Sequence, residues 1–317
     1  MGKKYKNLFD KIVEHQNFWE SFNKTSKGKR SKLEYLVFNE ERFSNMKHLR
    51  ESLIFGNYNP LPPYYFTIYE PKPRNITALK FQDRIVQHSI YSITYPIFDK
   101  TFLPNSYACR KGYGTHKCAR DVQLACKKHR GGWYLKTDFS KYFHSISREV
   151  LWTQIKKKIS CVKTLNLIEK FIPKEGVGIN IGELLSQLFA NIIGNIVDIW
   201  LKHTEKIKVF FRYMDDIVIF GENRENLTLL KDKLQLFCGT IGLRFSKWFI
   251  RPIKNGINFV GYIIFADFKL IRKSSIRNAK RKLRILTEEK RDKFLASWLG
   301  HIRHANCYNL KLKLGVA

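Results

Sequence analysis

The sequence predicts an α+β fold in which an antiparallel-rich sheet is backed by helices. Short runs of β-branched and aromatic residues flank two adjacent carboxylates in Lys208–Gly221, which indicates a buried strand, a tight reversal and a second strand. A similar strand-like run, Trp133–Asp138, also ends in a carboxylate. Segments with helical apolar spacing separate these runs, but strands and helices do not alternate strictly. This order favours an α+β fold over a doubly wound parallel sheet.

The composition indicates a globular protein with a polyanionic partner. The chain has 317 residues, 44% of them hydrophobic, and its 58 Lys and Arg against 27 Asp and Glu give a formal charge of +31. Nucleic acid is the commonest polyanion for such a chain. We expect no membrane association, since we find no 18-residue apolar run and no signal-like N-terminus. The six cysteines form no Cys-x-x-Cys pair, which favours reduced thiols and a cytoplasmic location.

The N-terminal part is predicted to be helical and basic. Residues 1–56 include apolar positions that could share one helical face: Phe9, Ile12, Val13 and Phe18. The basic run Lys24–Lys32 reads as a loop, either a solvated surface or an arm that contacts phosphates. Prolines then keep residues 57–74 extended.

The next predicted elements are a cationic hairpin and a helix. Tyr64–Tyr69 reads as a strand, and Lys72–Lys80 as the second arm of a hairpin whose cations could hold a triphosphate. A helix is predicted over Phe81–Phe98, followed by a Gly- and Arg-rich loop at Ser106–His116. After the Trp133–Asp138 strand, apolar spacing predicts a helix from about Ser147.

The strongest helical pattern lies in residues 176–202. Three polar residues recur along it at four-residue intervals, at Gln187, Asn191 and Asn195. They form either a solvent face or a strip that contacts the template or the nascent base pair. Glycines just before this helix permit close backbone approach.

The rest of the chain is predicted as a helix, two strands and a basic helical segment. The helix covers residues 226–241, and the strands are Leu243–Lys247 and Ile257–Ile264. From Lys273 onward the spacing is helical, with a cluster of cations suited to duplex phosphates: Arg277, Lys280, Arg281, Lys282 and Arg284.

Three carboxylates carry the chemical prediction. Two adjacent carboxylates, Asp215 and Asp216, at the tip of a buried hairpin cost electrostatic free energy unless a cation binds there. The alternative is that Asp-Asp is simply a polar turn, which is the usual interpretation of an isolated pair. Asp138, at the end of a second core strand, favours the metal interpretation. Three aspartates on neighbouring strands can hold two Mg²⁺ ions, or Mn²⁺ as a substitute, about 4 Å apart for in-line phosphoryl transfer.

These motifs resemble those of reverse transcriptases. Tyr213-Met214-Asp215-Asp216 matches their Tyr-x-Asp-Asp motif, and the stretch Asp138–Phe143 is similar to their first catalytic motif. The stretch Lys72–Gln87 is similar to the fingers motif of the group II intron-like bacterial lineage, and Phe259–Tyr262 to a grip motif. The resemblance covers roughly residues 57–265 in the same order.

The resemblance implies a right-hand polymerase fold and an RNA-directed DNA polymerase. The implied domains are an N-terminal helical basic extension (1–56), fingers and palm with an antiparallel sheet backed by helices (57–272), and a short basic helical thumb (273–317). By resemblance, Asp138 and Asp215 would bind both metals, Asp216 mainly the primer-side metal, and Phe139 would offer its backbone carbonyl. Template RNA, primer or cDNA, and dNTPs are the implied ligands.

The resemblance also implies residues that contact the incoming nucleotide. Arg74, Lys80 and Lys72 would bind the triphosphate, and Lys247 would assist the pyrophosphate. Phe143 would exclude a ribose 2′-hydroxyl, with ordinary core packing as the alternative. Gln187, Ile181 and Gly182 complete the predicted dNTP site.

One departure from the common motif points to a subfamily. Most reverse transcriptases have Gln-Gly-x-x-x-Ser-Pro before the long helix, whereas this chain has Ile181-Gly182 and ends the motif with Ser186-Gln187. This form resembles the enzymes of diversity-generating retroelements, which copy a template-repeat RNA with errors at adenines and work with a basic accessory variability determinant protein. We interpret the replacement of glutamine by Ile181 as the loss of a hydrogen-bonding group beside the incoming nucleotide. The resemblance also implies a bacterial or phage-encoded ribonucleoprotein in the cytoplasm.

Two alternatives remain open from the sequence. One is a phage-defence or intron-derived reverse transcriptase, although the 45 residues from Lys273 onward hold only three acids, from which we expect no nuclease domain. The other is a catalytically idle RNA-binding protein on the same fold. The presence of all three aspartates argues against the idle protein, since RNA binding does not require a buried acidic cluster.

Overall fold

The computed structural model describes residues 3–69 and 73–313. The helices are α1 (Leu8–Ile12), α2 (His15–Ser26), α3 (Leu33–Glu40), α4 (Arg42–Ile54), α5 (Phe81–Asp99), α6 (Thr115–Lys128), α7 (Tyr142–Ser145), α8 (Arg148–Lys158), α9 (Val162–Glu169), α10 (Leu184–Ile199), α11 (Arg224–Thr240), α12 (Lys273–Ile285), α13 (Glu288–Ile302) and α14 (Tyr308–Lys313). The strands are β1 (Tyr64–Ile68), β2 (Arg74–Ala78), β3 (Trp133–Phe139), β4 (Phe210–Tyr213), β5 (Asp216–Gly221), β6 (Phe245–Pro252), β7 (Ile257–Phe259), β8 (Tyr262–Ile264) and β9 (Lys269–Ile271).

The chain forms two compact units, each assembled from three separate segments. The first unit comprises Met1–Leu103, Lys141–Val197 and Gly239–Leu243. The second unit comprises Pro104–Ser140, Asp198–Cys238 and Arg244–Ala317. The division into an N-terminal extension, fingers with palm, and thumb stays a prediction.

The first unit is mainly helical. The predicted apolar residues of the N-terminal part are buried, and α2 packs along α5. Phe22 and Phe81 make the edge-on contact between these two helices, with ring centroids 6.0 Å apart. Strands β1 and β2 pair antiparallel from Tyr64–Ala78 to Ile68–Arg74, as the sequence predicts.

The second unit contains two antiparallel sheets. The larger has the strand order β4-β5-β3-β6, so β3 and β5 are central, and the smaller has the order β7-β8-β9. A common core joins both sheets with α6 and the C-terminal helices, and its members include Tyr134, Val218, Phe259, Tyr262 and Trp298. The buried strand–turn–strand over residues 210–221 confirms the predicted hairpin.

Two predicted element boundaries are wrong for reasons of backbone conformation. The long helix starts at Leu184 rather than at residue 176, because Gly176, Gly178 and Gly182 have φ of 89°, 91° and 111°. The predicted strand Ile257–Ile264 is two strands, β7 and β8. Val260 and the following glycine have φ of 42° and 94°, so they form the turn between these strands.

The long helical run also corrects two expectations. Leu184–Thr204, in which α10 continues as a π-helical turn, is by length and composition apolar enough to cross a membrane, contrary to the expectation of no such run. However, 72% of its most apolar stretch is buried inside the protein, as in the core helix of a folded domain. Asn191 and Asn195 are 1% and 7% exposed, so they form no solvent face, and Asn195 Nδ2 donates to the Thr101 carbonyl at 3.2 Å.

Candidate active site

The carboxylate hairpin closes in a two-residue turn. Tyr213 and Asp216 are paired across β4 and β5, which leaves Met214 and Asp215 as the turn residues. Met214 has φ of 59°, in the left-handed region that hairpin turns usually assign to glycine. A side chain in this conformation costs roughly 1–3 kcal/mol, so the surrounding structure must hold the turn.

A buried arginine supports this turn. The Arg212 side chain is fully buried, and its Nη1 donates to the Met214 carbonyl at 3.1 Å. Its Nε and Nη2 donate to the Asp198 carboxylate at 2.7–2.9 Å, and Nη2 also donates to Ser106 Oγ at 2.8 Å. Sequence reasoning missed this network. The available signal was a charged residue within an otherwise apolar strand, together with an aspartate near the end of an apolar helix.

The strand register brings the predicted carboxylates together. Asp216 on β5 is directly opposite Asp138 on β3, and Asp138 is directly opposite Lys247 on β6. Tyr213 extends the same row onto β4. Asp215 lies in the adjoining turn, where its carbonyl accepts a long hydrogen bond of 3.4 Å from the Phe139 N–H.

The Asp216 carboxylate is half-buried beside like charges. Its Oδ2 lies 2.9 Å from Lys136 Nζ, whereas its Oδ1 is buried without a hydrogen-bond partner among the described residues. Burial raises the pKa of Asp216 to about 6; Asp138 and Asp215 add to the increase, and Lys136 opposes it. On Asp138, Oδ2 accepts a hydrogen bond from Ser246 Oγ at 3.0 Å.

The carboxylate oxygens of this site suit a divalent cation, but the described residues do not by themselves form a complete coordination shell. Within residues 3–69 and 73–313, no group of three His, Cys, Asp or Glu side chains is arranged to hold a metal ion. Among the same residues, Asp216 Oδ1 nevertheless has no hydrogen-bond partner, and burial beside two other carboxylates raises the Asp216 pKa, as expected of a site that a cation would stabilise. Carboxylate oxygens are the ligands that Mg²⁺ prefers. The aspartates and the Phe139 carbonyl therefore suit a site completed by cation and substrate together.

The first unit holds the predicted triphosphate contacts. Arg74 is exposed on β2, and Lys80 immediately precedes α5. Lys80 Nζ lies 3.3 Å from the Tyr64 ring centroid and 3.9 Å from Glu34 Oε1. Lys72 lies outside the described residues. Their role in triphosphate binding stays a prediction.

The Ile181–Gly182 loop is hydrogen-bonded to β2, in the hairpin formed by β1 and β2. The Ile181 carbonyl accepts a hydrogen bond from the Thr77 N–H at 2.8 Å. A Cβ on Gly182 would lie 2.7 Å from both the Thr77 carbonyl oxygen and Ile76 Cγ2. Only glycine therefore fits here, which agrees with the close approach expected from the sequence.

Phe143 and Gln187 are also in the first unit. Phe143 is half-buried at the second position of α7, where its ring meets Tyr142 edge-on at 6.0 Å and its carbonyl accepts from the Ile179 N–H at 2.8 Å. Gln187 is half-buried on α10. Their predicted contacts with the nucleotide remain predictions.

Comparisons with known proteins agree with this geometry. The sequence model of the family "Reverse transcriptase (RNA-dependent DNA polymerase)" matches residues 70–264, more than half of the chain. Protein YkfC of Escherichia coli (strain K12) is 25% identical over 303 residues, covering 78% of this chain and 77% of YkfC. Group II intron-encoded protein LtrA of Lactococcus lactis subsp. cremoris is 27% identical over 170 residues, covering 49% of this chain and 27% of LtrA.

A solved structure of telomerase from Candida albicans, in complex with a fragment of telomeric RNA, is also similar. Its TM-score is 0.47 with 11% sequence identity, covering 76% of this chain and 55% of the telomerase chain. The family match includes both carboxylate-bearing strands and the turn between β4 and β5. This family match, together with the antiparallel sheets and their helices, confirms the predicted α+β polymerase fold class, and the chain belongs to the reverse transcriptase family, the RNA-dependent DNA polymerases.

Proposed function

We propose that the chain extends a DNA primer on an RNA template, with Asp138, Asp215 and Asp216 as the catalytic carboxylates. The observation that carries this proposal is the row of opposed residues Asp216, Asp138 and Lys247, in which a buried Asp216 oxygen has no hydrogen-bond partner within the part of the chain that the structure describes. A concentrated acidic site is unexpected in a chain of charge +31 unless it serves cation-dependent chemistry. The excess positive charge suits the phosphates of template and primer.

The carboxylates would hold two Mg²⁺ or Mn²⁺ ions. Asp138 and Asp215 would contact both ions, Asp216 mainly the primer-side ion, and the Phe139 carbonyl would add an oxygen donor. Bound divalent cations supply Lewis-acid stabilisation to the primer 3′-hydroxyl and to the leaving pyrophosphate. The protein's own part is to fix these oxygens on two paired strands, so that little reorganisation is needed when substrate binds.

The incoming nucleotide would be bound by side chains from several of the family motifs. Arg74, Lys80 and Lys72 would neutralise the triphosphate, and Phe143 would exclude a ribose 2′-hydroxyl. Lys247 would offset charge on the departing pyrophosphate, which agrees with its position opposite Asp138. These assignments follow the family motifs.

The finer proposal is an adenine-mutagenic enzyme of a diversity-generating retroelement. The Ile-Gly-x-x-x-Ser-Gln form at residues 181–187 supports it. Ile181 cannot offer the side-chain hydrogen bond that glutamine provides in most relatives, so discrimination between nucleotides would weaken. The enzyme would copy a template-repeat RNA in the cytoplasm of a bacterium, with a basic accessory variability determinant protein as its partner.

Primer extension on a synthetic RNA template tests both the polymerase activity and the assignment to diversity-generating retroelements. Wild-type protein with Mg²⁺ and four dNTPs is compared with Asp216→Asn, and the products are sequenced with and without an accessory protein. Product that disappears in Asp216→Asn supports the polymerase, and its persistence would overturn the assignment of Asp216. Errors concentrated opposite template adenine support the retroelement assignment. Ile181→Gln should reduce these errors, and an unchanged error rate would refute the role of Ile181.

A further inference from the structure

A lysine contacts the catalytic cluster directly. Lys136 lies on β3 two residues before Asp138, so both side chains are on the same face of the sheet. Its Nζ is 2.9 Å from Asp216 Oδ2 and donates to the Asn258 carbonyl on β7 at 2.9 Å. The Lys136 side chain is only 13% exposed. It is therefore fixed between the catalytic hairpin and the smaller sheet.

These contacts distinguish the two oxygens of Asp216. Lys136 holds Oδ2, while Oδ1 is buried and has no hydrogen-bond partner among the described residues. A carboxylate with one oxygen anchored has little freedom to rotate, so its other oxygen points in a defined direction. The lysine cannot move away freely, since its second hydrogen bond is to backbone. Oδ1 is thus left as the oxygen available to a cation.

The same lysine offsets charge within the cluster. Asp216 has Asp138 directly opposite and Asp215 next to it in the chain. Buried like charges repel strongly when no cation separates them. Arg272 also interacts electrostatically with Asp216, but Lys136 makes the direct contact.

We infer that Lys136 is the positioning residue of the active site. It serves as a built-in counter-cation for Asp216 before metal binds, and it orients Oδ1 of that carboxylate for the metal. The inference rests on the proposed function, because it assumes that Asp216 is a metal ligand. A divalent cation would then partly replace Lys136 as the source of positive charge. A purely structural lysine would stabilise the protein equally with and without metal.

The test measures thermal unfolding of the full chain in EDTA and in Mg²⁺ or Mn²⁺. Lys136→Met should lower the melting temperature in EDTA by about 5 °C, and saturating metal should recover most of that loss. The matched control is Lys231→Met. That lysine is in the same unit, is 12% exposed and packs over Trp248 rather than against the carboxylates. The decrease in melting temperature on its replacement should therefore be the same with and without metal.

Two further variants separate the possible outcomes. Lys136→Arg should retain most of the stability in EDTA. In an Asp216→Asn background, Lys136→Met should cost little, because the charge that it compensates is gone. An equal loss with and without metal, or an undiminished loss in the Asp216→Asn background, would overturn the inference.

Kinetics provide a readout of positioning. Lys136→Met should lower kcat about tenfold or more with little change in KM for dNTP, since the defect lies in metal orientation rather than nucleotide binding. An increase in KM at constant kcat would refute that role. If wild-type protein has no polymerase activity but the metal-dependent melting shifts are observed, the proposed function fails while the counter-cation role of Lys136 stands.

Discussion

Replacing Arg212 with methionine should destabilise the protein by about 4 kcal/mol. The substitution leaves the fully buried carboxylate of Asp198 without its partner, and breaking such a pair costs about 3–5 kcal/mol. It also removes the donor to the Met214 carbonyl, so the strained turn loses its direct support. In urea, with a denaturant slope of about 2–3 kcal/mol/M, the unfolding midpoint should fall by about 1–2 M.

Two control variants show whether the buried pair is responsible. Arg212→Lys keeps the charge but not the bidentate geometry, so its loss should be intermediate. The double variant Arg212→Met with Asp198→Leu should recover stability, because no buried charge remains unpaired. A loss below about 0.5 kcal/mol for Arg212→Met would refute this reasoning. A double variant whose loss equals the sum of the two single losses would refute it as well.

Three other predictions concern titration, close packing and helix capping. The pKa of Asp216 is raised from 3.8 to about 6, so metal-free protein should lose up to about 3 kcal/mol of stability as pH rises from about 4 through 6. Urea titrations at several pH values measure this loss, and saturating Mg²⁺ should reduce the dependence of stability on pH. Gly182→Ala should destabilise clearly more than Gly112→Ala, because both glycines have positive φ but only Gly182 would place a Cβ against backbone; equal melting temperatures would contradict this. Ser147 Oγ accepts from the Val150 N–H at the start of α8, so Ser147→Ala should cost about 1 kcal/mol in thermal unfolding, and no change would show that the cap contributes nothing.

Local pattern was sufficient for much of the fold and for the centre of the site. The nearly continuous runs of β-branched and aromatic residues around Asp215 and Asp216 predicted β4 and β5, because a strand buried on both faces needs apolar residues at successive positions. The prolines before Arg74 predicted an extended hairpin, which is present as β1 and β2. Asp138 was predicted beside the hairpin because its strand also ends in a carboxylate, and the register places it directly opposite Asp216.

Features that depend on distant partners were not predictable from local pattern. Lys136 and Arg212 look like ordinary charged residues within strands, and their partners lie on other elements: Asp216 on β5 for Lys136, and Asp198, 14 residues earlier, for Arg212. The four-residue spacing of Asn191 and Asn195 left open a solvent face or a strip that contacts the template, and the burial of both side chains rules out the solvent face. Periodicity identifies a shared face of a helix without revealing what covers that face.

The strand order of the larger sheet has a consequence for folding during synthesis. β3 is central but is made first: β5 begins at residue 216, 77 residues after β3 ends at residue 139, and β6 follows still later. At about 5–20 residues per second, the ribosome leaves β3 without its partners for about 4–15 s. An unpaired apolar strand is prone to aggregate during that interval. Lys136 and Asp138 place two charges within β3, so two residues of the candidate site would also help to keep the nascent strand soluble.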